Sequence, residues 1–176
     1  LVWGAAVVTT LLNDQIVFQQ EFDRAEDENY RYRLLGVRDP FLLVVVGSDS
    51  EHACKAARAR GAHLVVRQDS RGHVTIMKDA KTPISMGLIV AELRRLELVT
   101  CDQPIPFVGD PLWTAEGRYG GWYYHPGIEL ITTGGNRTAR LTLPPLTPFP
   151  QIETAVIEIV QSSLLESTPV FAGATH

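Results

Sequence analysis

Short apolar runs, alternating segments and one long amphipathic stretch divide the chain into a succession of elements. "FLLVVVG" at 41–47 is a continuous valine-rich run, the signature of a strand covered on both faces. Ser48 stands three residues before Glu51 as in a capping box, so a helix is predicted to follow through Arg60 and to end at Gly61. Ala53, Cys54 and Ala57 form its small inward stripe, which lets it lie close on a sheet. "HLVVRQ" at 63–68 and "HVTIMK" at 73–78 pair as a hairpin through Asp69-Ser70-Arg71-Gly72. Thr82-Pro83 then starts a helix running to about Glu97, with Leu88, Ile89, Leu93 and Leu96 at helical spacing. Residues 98–120 read as a polar loop rich in Pro and Gly, of a length that goes with function or disorder. "GWYYH" at 121–125 and "IELITT" at 128–133 make a second hairpin through Pro126-Gly127, followed by the glycine turn "GGNRT" at 134–138. Thr147-Pro148 repeats the helix-start signal, and Ile152, Ala155, Val156, Ile159 and Val160 carry the clearest helical period in the chain.

Ahead of this pattern, "LVWGAAVVTTLLN" at 1–13 reads as a buried helix ending near Asn13-Asp14. The charged run "DRAEDENYRYR" reads as the solvated face of a helix, and "GVRDP" at 36–40 as a linker, since Pro40 biases Asp39 away from helix. From residue 41 the order is strand, helix, hairpin, helix, hairpin, helix. That order predicts an α/β domain, with α+β as the alternative: two layers, a mixed sheet and helices, preceded by N-terminal helices. The divisions are an N-terminal helical segment at 1–38, the α/β domain at 39–167 and a tail at 168–176. No internal repeat stands out.

Composition changes this picture little. The 176 residues are 45% hydrophobic and 20% charged, enough for a core that needs no staples. A net charge of −4 argues against a broad grip on duplex nucleic acid, while a local basic patch stays open. Lysine occurs only at Lys55, Lys78 and Lys81; the arginine excess suits bidentate phosphate or carboxylate contacts, and a GC-rich genome gives the same bias. Cys54 and Cys101 are far apart in sequence, so a reduced, cytoplasmic protein is expected, although parity allows a disulfide. No apolar run approaches the roughly 20 residues that span a bilayer. Leu1–Leu12 lacks the basic flank and cleavage site of a signal peptide. The missing initiator methionine suggests that Leu1 begins inside a longer protein.

Candidate chemistry is sparse. His52, His63, His73, His125 and His176 form no HxH, HExxH or DHH pattern, so no metal centre is expected within the chain. There is no Walker-type loop, GxGxxG, GxSxG or cysteine-centred nucleophile motif. Gly47-Ser48-Asp49-Ser50 follows a strand and opens a helix, where backbone N–H groups can meet a phosphate or simply cap the helix. Val74 and Ile76 share one strand face, so His73 and Thr75 share the other. There His73 can hydrogen-bond a phosphate or a base, with Arg71 and Arg67 adding charge, or it belongs to a plain surface turn. Gly134 and Gly135 allow an anion nest with Arg137 beside it, or an ordinary bulged turn. His125 follows Trp122-Tyr123-Tyr124, a run suited to core and edge packing or to base stacking.

"SRGHVTI", a following amphipathic helix, "GWYYHPGIELITTGG" and a final helix after proline occur in that order. Over about residues 45–160 the chain resembles the C-terminal part of DHH-type phosphoesterase-like proteins, including the MYG1-related metal-dependent hydrolases. The individual motifs are short. The resemblance implies a metal-binding half that activates water and a C-terminal half, here 39–167, of substrate-binding type. The first contact group would be Arg71, Gly72 and His73, and the second Gly134, Gly135 and Arg137, with His125 added to the substrate-binding set. The ligand would be a small phosphate-bearing molecule or nucleotide. No catalytic residue is assigned: the family's metal-binding Asp and His residues are not in this chain, which departs from the family there, so manganese or magnesium would belong to a complete enzyme. The alternative is a non-catalytic ligand-binding module, or an oligomerisation domain whose hairpins pair across a homo-oligomer.

Overall fold

The computed structural model describes residues 10, 12–20, 23, 30–35, 40–107, 110, 113–114, 116–119, 121–133 and 143–166. Seven strands, β1 (Tyr30–Leu35), β2 (Phe41–Gly47), β3 (Leu64–Gln68), β4 (Val74–Lys78), β5 (Gly117–Tyr119), β6 (Trp122–His125) and β7 (Leu130–Thr132), form one sheet in the order β1-β2-β3-β4-β7-β6-β5. The β2–β3 pair is parallel and the other five pairings are antiparallel. The helices are α1 (residues 12–20), α2 (Ala53–Ala59), α3 (Met86–Thr100) and α4 (Phe149–Glu166). The fold is therefore α/β with a mixed sheet, as the pattern implied.

The valine run of β2 explains the layering. Leu43 and Val45 join a core cluster with Met86, Ile89 and Leu93 of α3 and Ile152, Val156 and Val160 of α4. Val44 and Val46 point the other way, into a smaller cluster with Ala53, Cys54 and Ala57 of α2. The small side chains let α2 lie against β2 and β3, and Gly61 ends the helix with φ +95. The α3–α4 cluster continues across the sheet to Trp122, Tyr124 and Ile131, whereas the α2 cluster stops at β3 with Met77 at its margin. The α3–α4 face is thus apolar from β2 to β6, with Arg31 and Arg33 on its β1 edge, and the other is apolar only over its first three strands.

Several boundaries differ from the sequence pattern. Of the helix read at 1–13 only 10, 12 and 13 are described, and these are exposed; the rest lies outside the described residues, and 12–20 are helical straight through Asn13-Asp14. Residues 30–33 of the charged run belong to strand β1, not to a helix face: Arg31 and Arg33 cross to Glu153 of α4 at 2.7 and 2.8 Å, while 24–29 lie outside the described residues. Ser48 does not cap α2. Its Oγ accepts from Ser50 N at 3.1 Å, and the helix starts later, at Ala53. Ser85, not Thr82, is the N-cap of α3, accepting from Leu88 N, and α3 runs on to Thr100. Leu88 lies off the core stripe and is 55% exposed. The 98–120 stretch is shortened at both ends, by α3 and by β5. The "GVRDP" linker lies outside the described residues except for Pro40, and so does the tail at 168–176.

Candidate functional site

Beyond β3 the second sheet face carries polar side chains in register. Arg67 of β3 is paired with Thr75 of β4, Thr75 with Thr132 of β7, Thr132 with Tyr123 of β6, and Tyr123 with Arg118 of β5. Directly paired residues point to the same face, so these five side chains form one row across the sheet. At the usual strand spacing the row is about 19 Å long, with an arginine at each end. Arg67 donates from Nη1 to Ser50 O, and Arg118 from Nη2 to Thr133 O at 3.1 Å. Both guanidiniums are thus positioned by a carbonyl oxygen, which leaves their charge uncancelled at that contact. The hydroxyls of Thr75 and Thr132 lie 3.5 Å apart, and Thr132 Oγ1 also donates to Val74 O. Arg67, Thr75 and Tyr123 are half-buried, while their neighbours Val74, Ile76, Trp122 and Tyr124 are buried in the core. This is the alternation read from "HVTI", extended to a second hairpin.

The Asp69–His73 turn supplies a second component. Asp69 Oδ1 accepts from Arg71 N at 3.0 Å and His73 N at 2.8 Å, and Asp69 O accepts from Gly72 N at 3.0 Å. Ser70 N donates to Asp49 Oδ1 at 2.8 Å. That bond, ahead of the nearby arginines, holds the Asp49 carboxyl below its ordinary range. The turn's N–H groups are therefore occupied by the protein's own carboxylates and carbonyl. What Arg71-Gly72-His73 can offer a ligand is side chains. Arg71 is 78% exposed, with Nε 3.8 Å from Asp69 Oδ2. Gly72 takes φ +84, and a Cβ there would sit 3.3 Å from Pro144 Cβ. His73 is half-buried, and its Nδ1 has no hydrogen-bond partner among the described residues.

His125 shares the face with His73 but not its neighbourhood. His125 pairs with Leu130, in the row of Met77, while His73 lies on the other side of the Thr75 row. The two histidines flank the row, about 13 Å apart along the strand direction. Gly134, Gly135 and Arg137 lie outside the described residues. The described residues that flank them both meet the first turn: Thr133 exchanges hydrogen bonds with Val74, and Pro144 lies against Gly72. The Gly47–Ser50 segment is a tighter arrangement than a phosphate loop, because Ser48 Oγ and Ser50 Oγ already accept from Ser50 N and His52 N, and the helix that follows has only seven residues.

The sequence pattern singled out neither Thr132 nor Arg118. Thr132 is separated from Thr75 by 57 residues, and only the β4–β7 pairing brings them together. Other titratable groups are structural. His63 Nδ1 accepts from Leu42 N, and the ring stacks on Phe41. Lys78 Nζ donates to Thr82 O and Ile84 O and meets Glu129 at 3.3 Å. Among the described residues no three His, Cys, Asp or Glu side chains gather as metal ligands, and no helix is long and apolar enough to cross a membrane. No family profile, no curated protein and no solved structure matches the chain.

Proposed function

We propose that this chain is the substrate-gripping part of a DHH-like phosphoester hydrolase, whose metal centre lies outside it, and that it holds a phosphate-bearing ligand or nucleotide on the polar half of the sheet. The observation that carries the reading is the row Arg67, Thr75, Thr132, Tyr123 and Arg118, with His73 beside it. Guanidiniums and the half-buried Thr75 hydroxyl are donors that charged oxygens favour, Thr132 spends its proton on Val74 O and positions Thr75, and a half-buried tyrosine on a strand offers a ring to a base. A long row with cationic ends fits an extended anion better than a lone phosphate.

The test is a fluorescence titration with an N-methylanthraniloyl-labelled ADP. Arg67→Ala, Arg118→Ala and His73→Ala are each expected to weaken binding roughly ten- to a hundredfold, in line with losing one charge-assisted hydrogen bond. Tyr123→Ala should weaken the nucleotide and leave pyrophosphate unchanged. Unaltered affinity in all three of these variants would sink the reading. Manganese-dependent hydrolysis of bis(p-nitrophenyl) phosphate by these 176 residues alone would overturn the external metal centre.

A further inference from the structure

The other layer carries a groove that the proposed grip does not use. It has a volume of about 670 Å³ and lies between the outer faces of α3 and α4, with Ile105, Pro106 and Trp113 along its third side. Its walls are two helical stripes. Leu88, Ala91, Glu92 and Arg95 follow one another at i, i+3, i+4 and i+7 on α3, and Ala155, Glu158, Ile159, Ser162 and Glu166 continue the same spacing on α4. From Ala155 to Glu166 the wall is about 16 Å long. The floor is apolar, and Leu88 lines it while remaining 55% exposed.

The rim is acidic. Glu158 and Glu166 border the groove, and among the described residues the one rim arginine, Arg95, is held by Glu92 through contacts of 2.8 and 2.6 Å. That bond to Glu92 also raises the pKa of Arg95. The pair cancels its own charge and leaves the described lining net negative.

We infer that this groove receives an amphipathic helix of a partner protein whose polar face is basic. Two helices with parallel stripes and an apolar floor offer the slot that helix-in-groove recognition uses. Lysines and arginines flanking the apolar stripe of the incoming helix would face Glu158 and Glu166. The same charge argues against other occupants. A second copy would bring its own acidic rim into an isologous contact, and an anionic lipid surface would be repelled.

The probe is a fluorescein-labelled helical peptide of about eighteen residues, leucine on one face and lysine on the other, with a twin carrying glutamate for lysine. Binding is read by fluorescence polarisation at about 0.15 M salt. The lysine peptide is expected to bind and the glutamate twin not to. Glu158→Lys combined with Glu166→Lys, both exposed positions, should weaken the lysine peptide at least about tenfold and confer affinity for the twin. Leu88→Ser should weaken binding about fivefold with an unchanged thermal melt, since Leu88 lies outside the core. Arg118→Ala, on the opposite face, should leave peptide binding unchanged, which separates this inference from the nucleotide reading. Absence of lysine-peptide binding would overturn it. So would binding that survives both the charge reversal and Leu88→Ser, or a dimer seen by light scattering that Leu88→Ser dissolves.

Discussion

Asp69 and Cys54 are buried for different reasons, and each leads to its own expectation. Asp69 uses its side chain to close the turn before β4, taking two N–H groups that no strand reaches. Asp69→Ala leaves both without that acceptor and is expected to cost about 1–3 kcal/mol, with Asp69→Asn retaining most of the stability because its carbonyl still accepts. Urea unfolding of the two variants checks this; equal losses would show that the charge, not the acceptor, matters. Cys54 sits in the apolar contact between α2 and the sheet, and burial pushes its thiol from 9.0 up to about 11. Between those values the native state keeps a proton that the unfolded chain has released. Stability contributed by the neutral thiol is therefore whole below about pH 9 and lost as pH rises to about 11, by up to roughly 3 kcal/mol. Lysines and tyrosines titrate in the same window, so the measurement is the difference in unfolding free energy between the parent and Cys54→Ala. That difference should narrow by about 2 kcal/mol from about pH 8.5 to about pH 11. A constant difference would show that the thiolate is tolerated there.

At the scale of elements, Glu97 joins the last turn of α3 to the entry of α4. Its oxygens accept from Leu146 N at 2.7 Å, Thr147 N at 3.1 Å and Thr147 Oγ1 at 2.8 Å. Glu97→Ala strips three donors of one partner and is expected to cost about 2–4 kcal/mol. Hydrogen exchange should then quicken at 146–152 and stay unchanged in β2 and β3; uniform acceleration would mean global unfolding instead. This junction also marks how far sequence reasoning reached. β2, the two hairpins, the inward alanine stripe of α2 and the period of α4 were all legible, because each is a local pattern. β1 was not, because its arginines alternate with Tyr30, Tyr32 and Leu34 and the charge hid that period; their partner, Glu153, lies about 120 residues away. The starts of α2 and α3 were misplaced for a related reason. Ser48 and Thr82 carry the cap signals, but Ser48 Oγ accepts from Ser50 N in the turn ahead of α2 and Thr82 Oγ1 donates to His63 O instead. In the candidate site, alternation put His73 and Thr75 on one face. The remainder of the row required a pairing between β4 and β7 that no local pattern encodes.

For the whole molecule, the residue that spans both candidate surfaces is Arg94. It is fully buried, yet it points its guanidinium at Trp113 O, Gly117 O and Trp122 O at 2.9, 2.6 and 3.3 Å. Burial draws its pKa down to about 10, which leaves it charged at neutral pH. Trp113 lines the acidic groove, while Gly117 and Trp122 are next to Arg118 and Tyr123 of the polar row. One side chain inside the α3 layer therefore sets the position of a groove wall and of the outer strands together. Lysine keeps the charge but lacks the planar fork that reaches several carbonyls at once. Arg94→Lys is therefore expected to lower affinity for the lysine peptide and for the labelled nucleotide in one step, although it touches neither. Leu88→Ser should affect only the first and Arg118→Ala only the second. Retention of both parent affinities in Arg94→Lys, in a protein that still unfolds cooperatively, would mean that the strands and the groove wall at Trp113 are positioned without this guanidinium, and that the two surfaces have no structural element in common.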